Sequence, residues 1–164
     1  MENEWHITSD WDSHRPALLC ALENTKGTVV ELGCGFGSTQ LLYDYCVKNK
    51  RQFWSFDTNK EWANKFWVIT NAIDDYFKNV HLNNIDLLFV DCAPAEIRKE
   101  LIEKYADIAK VIVVHDSEES SSFCYDLIGI LSTLKYRINY EPRGNPHTTI
   151  ISNFIDISKW NIQE

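Results

Sequence analysis

Apolar stretches of strand length alternate with amphipathic ones along most of the chain. The first apolar run, Thr28-Val29-Val30-Glu31-Leu32, stops at a glycine cluster, and residues 38–48 then carry Leu41, Leu42, Tyr45 and Cys46 at helical spacing. A second run, Phe53-Trp54-Ser55-Phe56, closes on Asp57. A short helix is expected over 61–65, a third strand over 66–70 and one helical turn over 74–78. The fourth run, Ile85-Asp86-Leu87-Leu88-Phe89-Val90, ends on Asp91, after which Pro94 suits the first turn of a helix reaching Ala106. The fifth, Val111-Ile112-Val113-Val114, ends on His115-Asp116. A long helix over 121–134 and two strands, 136–141 and 148–154, follow, the strands joined by the turn Arg143-Gly144-Asn145-Pro146. Ahead of all this, Asp12 or Ser13 can cap a helix over 16–23. Trp5 and Trp11 precede that helix and are placed to fold over a pocket.

Strands that are apolar throughout belong to a sheet covered on both faces, and strands alternating with helices form βαβ units. The pattern therefore predicts an α/β protein: a mostly parallel, Rossmann-like sheet with helices on both faces and a C-terminal antiparallel hairpin. The 164 residues fit one domain, 1–164, with residues 1–26 as a helical segment over the site. Repeats, low-complexity tracts and linkers are not found in it.

Composition narrows the partners. A formal net charge of -8 gives no broad positive field for phosphate backbones, so a small-molecule substrate is expected and nucleic acid is not. No run approaches the ~18 apolar residues of a membrane span, and Met1-Glu2-Asn3-Glu4 leads into no apolar signal core, so the expected setting is cytoplasmic. The five cysteines include no C-x-x-C pair and read as buried small residues, not as a disulfide framework or zinc ribbon. A site completed across a homo-oligomer is compatible with so small a chain, but no residue points to one.

The chemistry concentrates at strand ends. Gly33, Gly35 and Gly37 lie between a strand and a helix, where glycine allows a sharp turn and close approach of a ligand to the backbone. Where a dinucleotide fingerprint would carry its last glycine, this chain has Ser38. Glu31 precedes the turn, and Asp57 ends the next strand, where a carboxylate can accept ribose hydroxyls. Together with Asp91 and Asp116 these acids describe an acidic rim suited to a cationic ligand.

The stretch Val29-Val30-Glu31-Leu32-Gly33-Cys34-Gly35-Phe36-Gly37 resembles the first motif of the class I S-adenosylmethionine-dependent methyltransferases, and Asp57 their second. The resemblance covers nearly the whole chain. It implies methyl transfer from S-adenosylmethionine to an oxygen, or less readily a nitrogen, of a small molecule. Gly33, Cys34, Gly35 and Gly37 would lie along the methionine part, Glu31 would hold its amino group, Asp57 with Thr58 the ribose, and Asn71, Ala72 or Asp74 the adenine. Asp91, His115 and Asp116 would stand near the transferring methyl. Two roles compete there: His115 as general base, or Asp91 and Asp116 as ligands of Mg2+, as in metal-dependent O-methyltransferases, although Ser117 stands where those often have Asn. Val114-His115-Asp116-Ser117 and Ser13-His14-Arg15-Pro16 also resemble a group of small bacterial and phage methyltransferase-like proteins, in which His14 or Arg15 would reach the cofactor carboxylate. In place of an Asn-Pro-Pro-Tyr motif the chain has Asp91-Cys92-Ala93-Pro94, which speaks against methylation of base amino groups. A catalytically silent member of the fold and an NAD-dependent oxidoreductase remain as alternatives.

Overall fold

A computed structural model describes residues 10–66, 69–118, 127–144 and 146–163. Its centre is one seven-stranded sheet, in which β1 (Thr28–Leu32), β2 (Phe53–Asp57), β3 (Thr70–Ala72), β4 (Ile85–Val90), β5 (Ala109–His115), β6 (Tyr136–Tyr140) and β7 (Thr148–Ser152) take the order β3-β2-β1-β4-β5-β7-β6. The first five strands are mutually parallel, while β7 runs antiparallel to β5 and to β6. This is the expected doubly covered sheet with a C-terminal hairpin.

Alternate residues of the central strands feed opposite cores. Val30, Leu32, Leu88, Val90, Ile112 and Val114 face one side, against α4 (Ile97–Tyr105) and α5 (Leu127–Thr133). Val29, Leu87, Phe89, Val111, Val113 and Ile150 face the other, against α1 (Arg15–Glu23) and α2 (Thr39–Lys48). With both faces buried there is no polar face to alternate with, hence the uninterrupted apolar runs. The parallel arrangement brings the ends of β1, β2, β4 and β5 to a single rim.

Several local expectations are corrected. The third strand is Thr70–Ala72, not 66–70; Phe66 instead ends a 3-10 turn and is buried beside the Phe36 ring at 5.1 Å. An apolar run satisfies a strand or a packed turn equally well, and packing of the aromatic decides here. Residues 74–78 are turns: Tyr76 and Phe77 take left-handed φ of 51° and 65°, which places Phe77 fully in the core. Pro94 lies ahead of α4, which starts at Ile97. The N-cap of α1 is His14, and its side chain makes no capping bond; Asp12 pairs with Arg15 at 3.0 Å instead. Trp5, Asn145 and the first part of the expected 121–134 helix fall outside the described residues.

Candidate functional site

The glycine turn leaves β1 at the rim, and each glycine has its own reason. Gly33 has φ +96°, and a Cβ there would fall 2.3 Å from the Asp91 carbonyl oxygen at the end of β4. A Cβ on Gly37 would fall 2.0 Å from the Trp11 carbonyl oxygen and 2.9 Å from His14 Cε1, because the segment before α1 lies across the turn. Arg15 fastens that crossing, its Nε donating to the Gly37 carbonyl at 2.9 Å. Gly35 differs. A Cβ on it would meet only Ser38 Oγ, at 3.9 Å, and its φ lies outside the left-handed region, so no described protein atom demands glycine there. A cradle that the chain leaves unfilled is what close approach of a ligand requires.

Asp57, at the end of β2, is buried and braces the turn: Oδ2 accepts from the Cys34 N–H at 2.9 Å and Oδ1 from the Asn59 N–H at 2.7 Å. Each oxygen has a further lone pair for a ribose hydroxyl. Trp62 Nε1 donates to the Cys34 carbonyl at 2.7 Å, so the two peptides flanking the Cys34 Cα are both held. Glu31 faces inward with no exposure, accepting hydroxyl bonds from Ser38 (2.5 Å), Ser55 (2.6 Å) and Thr39 (3.0 Å). Burial drives its carboxyl up to about 7 against the pull of those three hydroxyls. Glu31 thus ties β1 and β2 to the start of α2 and positions the turn, rather than presenting its carboxylate to open space.

Thr58 and Asn71 sit on the flank of the rim, their side chains bonded to the Ala93 carbonyl at 3.4 Å and the Ser55 carbonyl at 3.2 Å. Ala72 and Asp74 line a cavity of 480 Å³ with Phe56, Ile73, Val80 and Leu82, next to the end of β2. Asp75, Asn79 and His81 complete a wall that mixes apolar side chains with polar groups, as a site for a flat heteroaromatic ring does; Asn71 lies outside it.

At the ends of β4 and β5 the expected Asp91, His115 and Asp116 do come together, around a residue that the sequence reading missed. Arg98 of α4 reaches Asp91 Oδ1 at 3.0 Å and Asp116 Oδ2 at 3.1 Å. His115 Nδ1 faces the remaining oxygens, Asp91 Oδ2 at 3.4 Å and Asp116 Oδ1 at 3.5 Å. Burial disfavours the His115 imidazolium, but Asp91 and then Asp116 outweigh it and raise its pKa. Burial likewise opposes ionisation of Asp91, yet His115 and Arg98 hold its carboxyl well below the usual range. Ser13 Oγ lies 2.9 Å from His115 Nε2, and the His14 ring packs edge-on to His115 at 4.7 Å. A signal for Arg98 existed: with Leu101, Ile102 and Tyr105 it occupies the buried stripe of α4, where an arginine needs a buried partner.

Two expectations change as a result. The four-acid rim reduces largely to Asp57, because Asp91 and Asp116 are compensated by Arg98 and His115 while Glu31 is enclosed. Mg2+ on Asp91 and Asp116 does not fit, since Arg98 takes one oxygen of each carboxylate and the His115 imidazole stands against the other two, where a hard dication wants oxygen throughout. Arg15, held on the Gly37 carbonyl and on Asp12, is committed to the turn, and His14 is buried.

No family model matches the sequence, and no curated protein matches it. Solved structures do match in fold. The cofactor-bound Rv0187 from MTB superposes with a TM-score of 0.65 at 13% identity, over 91% of this chain and 83% of that one. A SAM-dependent O-methyltransferase from Thermotoga maritima gives 0.63 at 11% identity, covering 86% of this chain and 65% of that one. The plantazolicin methyltransferase BpumL, solved in complex with SAH, gives 0.54 at 15% identity over 88% and 82%. At such identities the likeness concerns architecture, and this chain has the fold of the class I S-adenosylmethionine-dependent methyltransferases. The antiparallel β7 between β5 and β6 also departs from the 3-2-1-4-5-6 order of dinucleotide-binding sheets, which counts against the NAD reading. Among the described residues no helix is long and apolar enough to cross a membrane.

Proposed function

We propose that the chain binds S-adenosylmethionine along Cys34 and Gly35 and transfers its methyl group to an oxygen of a small molecule. The observation that carries this reading is Gly35, a glycine whose missing side chain leaves space that no described part of the protein uses. Asp57 would hold the ribose diol with Thr58 beside it, and the cavity bordered by Ala72 and Asp74 would receive the adenine. Gly33 and Gly37 act through the turn's shape, and Glu31 through the hydroxyls it gathers. The four described cysteines are buried thiols, in keeping with a cytoplasmic setting.

In the transfer the S–CH3 bond breaks as the O–CH3 bond forms, and the acceptor's hydroxyl proton must leave. Asp91, His115 and Asp116 stand where that proton would be taken. Only neutral His115 can accept it, so its two acids, by raising its pKa, shift the active form to higher pH. A second reading, a cofactor-binding member without transfer activity, is favoured by one observation: Arg98 and His115 compensate both acids in the resting cluster. Calorimetric titration of the full chain with S-adenosylhomocysteine tests the cofactor assignment. Micromolar binding, weakened strongly in Asp57→Ala, supports it; no binding by the folded protein at millimolar ligand overturns it. A methyl-acceptor screen at several pH values then separates the two readings.

A further inference from the structure

We propose that His14, Asp91 and His115 form a site for one transition-metal dication of the zinc type, held by two imidazole nitrogens and one carboxylate oxygen. The three residues come from three elements, the N-cap of α1 and the ends of β4 and β5, and offer ligand atoms that all lie within 4.8 Å of one another. The function proposed above gives His14 no role, its burial setting it apart from the cofactor carboxylate that the resemblance assigns to it or to Arg15. His14 is only 1% exposed, yet among the described residues neither of its ring nitrogens has a hydrogen-bond partner of good geometry, although the Gly37 backbone lies close by. Buried polar atoms are rarely left so, and an ion at the site is one of the few arrangements that explains them.

The hydrogen bonds around His115 point the same way. Ser13 Oγ lies 3.2 Å from the Pro146 carbonyl and 2.9 Å from His115 Nε2; when it donates to the carbonyl it accepts from Nε2–H. In the neutral ring that leaves the Nδ1 lone pair facing a second lone pair, on Asp91 Oδ2, at 3.4 Å. Either a proton on Nδ1 or a metal ion relieves that contact, and the orphaned nitrogens of His14 beside it favour the ion. Their spacing is longer than a good N–H···O bond of about 2.7–3.2 Å. It matches the roughly 3.3–3.4 Å edge of a tetrahedron whose metal–ligand bonds are about 2.0–2.1 Å. Ser13 thereby does for His115 what an outer-sphere partner does for a metal-bound histidine, and Arg98 on Asp91 Oδ1 orients Oδ2 towards the same point.

The donor set selects the metal. Mg2+ and Ca2+ want oxygen throughout, whereas two imidazoles and one carboxylate suit zinc and its first-row neighbours. The side of the cluster away from the histidines is the open one, since the Asp91 and Asp116 side chains are 25% and 26% exposed. A fourth position there, with Asp116 Oδ1 3.5 Å from His115 Nδ1, would face the rim where the methyl acceptor is expected; with the ion bound both His115 nitrogens are engaged, so the general-base role proposed above belongs to the metal-free chain.

The test uses the full chain, stripped with a chelator, dialysed and titrated with Zn2+ and, as a spectroscopic probe, with Co2+. The expected result is one equivalent per chain by elemental analysis, a visible Co2+ spectrum erased by Zn2+, and affinity reduced at least about a hundredfold in His14→Gln and in His115→Gln. His81→Ala, remote from the cluster, should bind as the unmodified chain does. Imidazole nitrogen NMR on the unmodified chain covers the case in which a variant fails to fold: Zn2+ must shift one nitrogen of His14 and Nδ1 of His115. Absence of saturable binding by the folded chain, unchanged affinity in His14→Gln, or an unmoved His14 spectrum would overturn the proposal. The last outcome would indicate a bridging water. S-adenosylhomocysteine is in none of these samples, so failure here leaves the cofactor assignment untouched.

Discussion

Alanine placed in turn at Gly33, Gly35 and Gly37 should separate what the fold needs from what a ligand needs. At Gly33, φ +96° alone costs a side chain about 1–2 kcal/mol. A Cβ 2.3 Å from the Asp91 carbonyl oxygen also forces the ends of β1 and β4 apart, for a total of roughly 3 kcal/mol or more. At Gly37 the obstacle is the Trp11 carbonyl oxygen at 2.0 Å, in a short 3-10 turn that pairs with no strand and can shift more cheaply than the end of β4, so about 1–3 kcal/mol is expected. At Gly35 the neighbouring Ser38 Oγ lies at an ordinary 3.9 Å, and the loss of unfolded-state freedom makes alanine neutral or stabilising by up to about 1 kcal/mol. Affinity should follow a different order. A methyl group at Gly35 occupies the cradle and should weaken S-adenosylhomocysteine binding by about 2 kcal/mol, or roughly thirtyfold. Urea denaturation and calorimetry on the same three preparations give both quantities. If Gly35→Ala binds like the unmodified chain, or is destabilised as much as Gly33→Ala, the assignment of that space to a ligand is wrong.

The remaining predictions concern charge. Glu31 has a folded pKa of about 7 against an ordinary 4.5, so its stabilising contribution is complete below pH 4.5 and is lost as pH rises through 7. The loss amounts to about 3 kcal/mol, and denaturation midpoints between pH 5 and pH 8 should reveal it; Glu31→Gln should flatten that slope, and an unchanged slope would clear Glu31 of responsibility. Replacing buried Arg98 by Met leaves Asp91 and Asp116 facing each other, and should cost about 2–4 kcal/mol after allowing for their partial exposure. Adding Asp116→Asn should recover part of that loss, and strict additivity of the two changes would argue against a shared pair. If His115 accepts the acceptor's proton, the methylation rate should climb with an inflection above the ordinary histidine value of 6.5. A flat profile across pH 6–9 would remove it from that role.

Sequence pattern alone gave the β1–β4–β5 centre, because residues buried on both faces leave an unmistakable apolar run. The glycine turn and Asp57 were legible for a related reason: sharp turns and strand ends restrict which residues can stand there. The third strand was misplaced because Phe66, packed against Phe36 in a turn, has the same apolar signature as a strand residue. The chemistry of the rim was the least legible part. Asp91 and Asp116 are visible as acids, but their metal-binding capacity depends on Arg98, which lies on another helix and whose approach only the tertiary structure decides. Ser13 and His14 looked like the start of a capped helix, and their contacts with residues more than a hundred positions away carry no local pattern.

Ser13, His14 and Arg15 are consecutive, yet they touch different halves of the rim. Ser13 bonds His115, His14 packs edge-on against it, and Arg15 grips the glycine turn. So short a piece of backbone cannot follow a movement of one half without tugging on the other. Cofactor and acceptor should therefore sense one another: an acceptor that shifts the His115 corner would change the affinity for S-adenosylhomocysteine, and the cofactor would change the acceptor's affinity by the same factor. That reciprocity would originate in a tripeptide that need not contact either molecule.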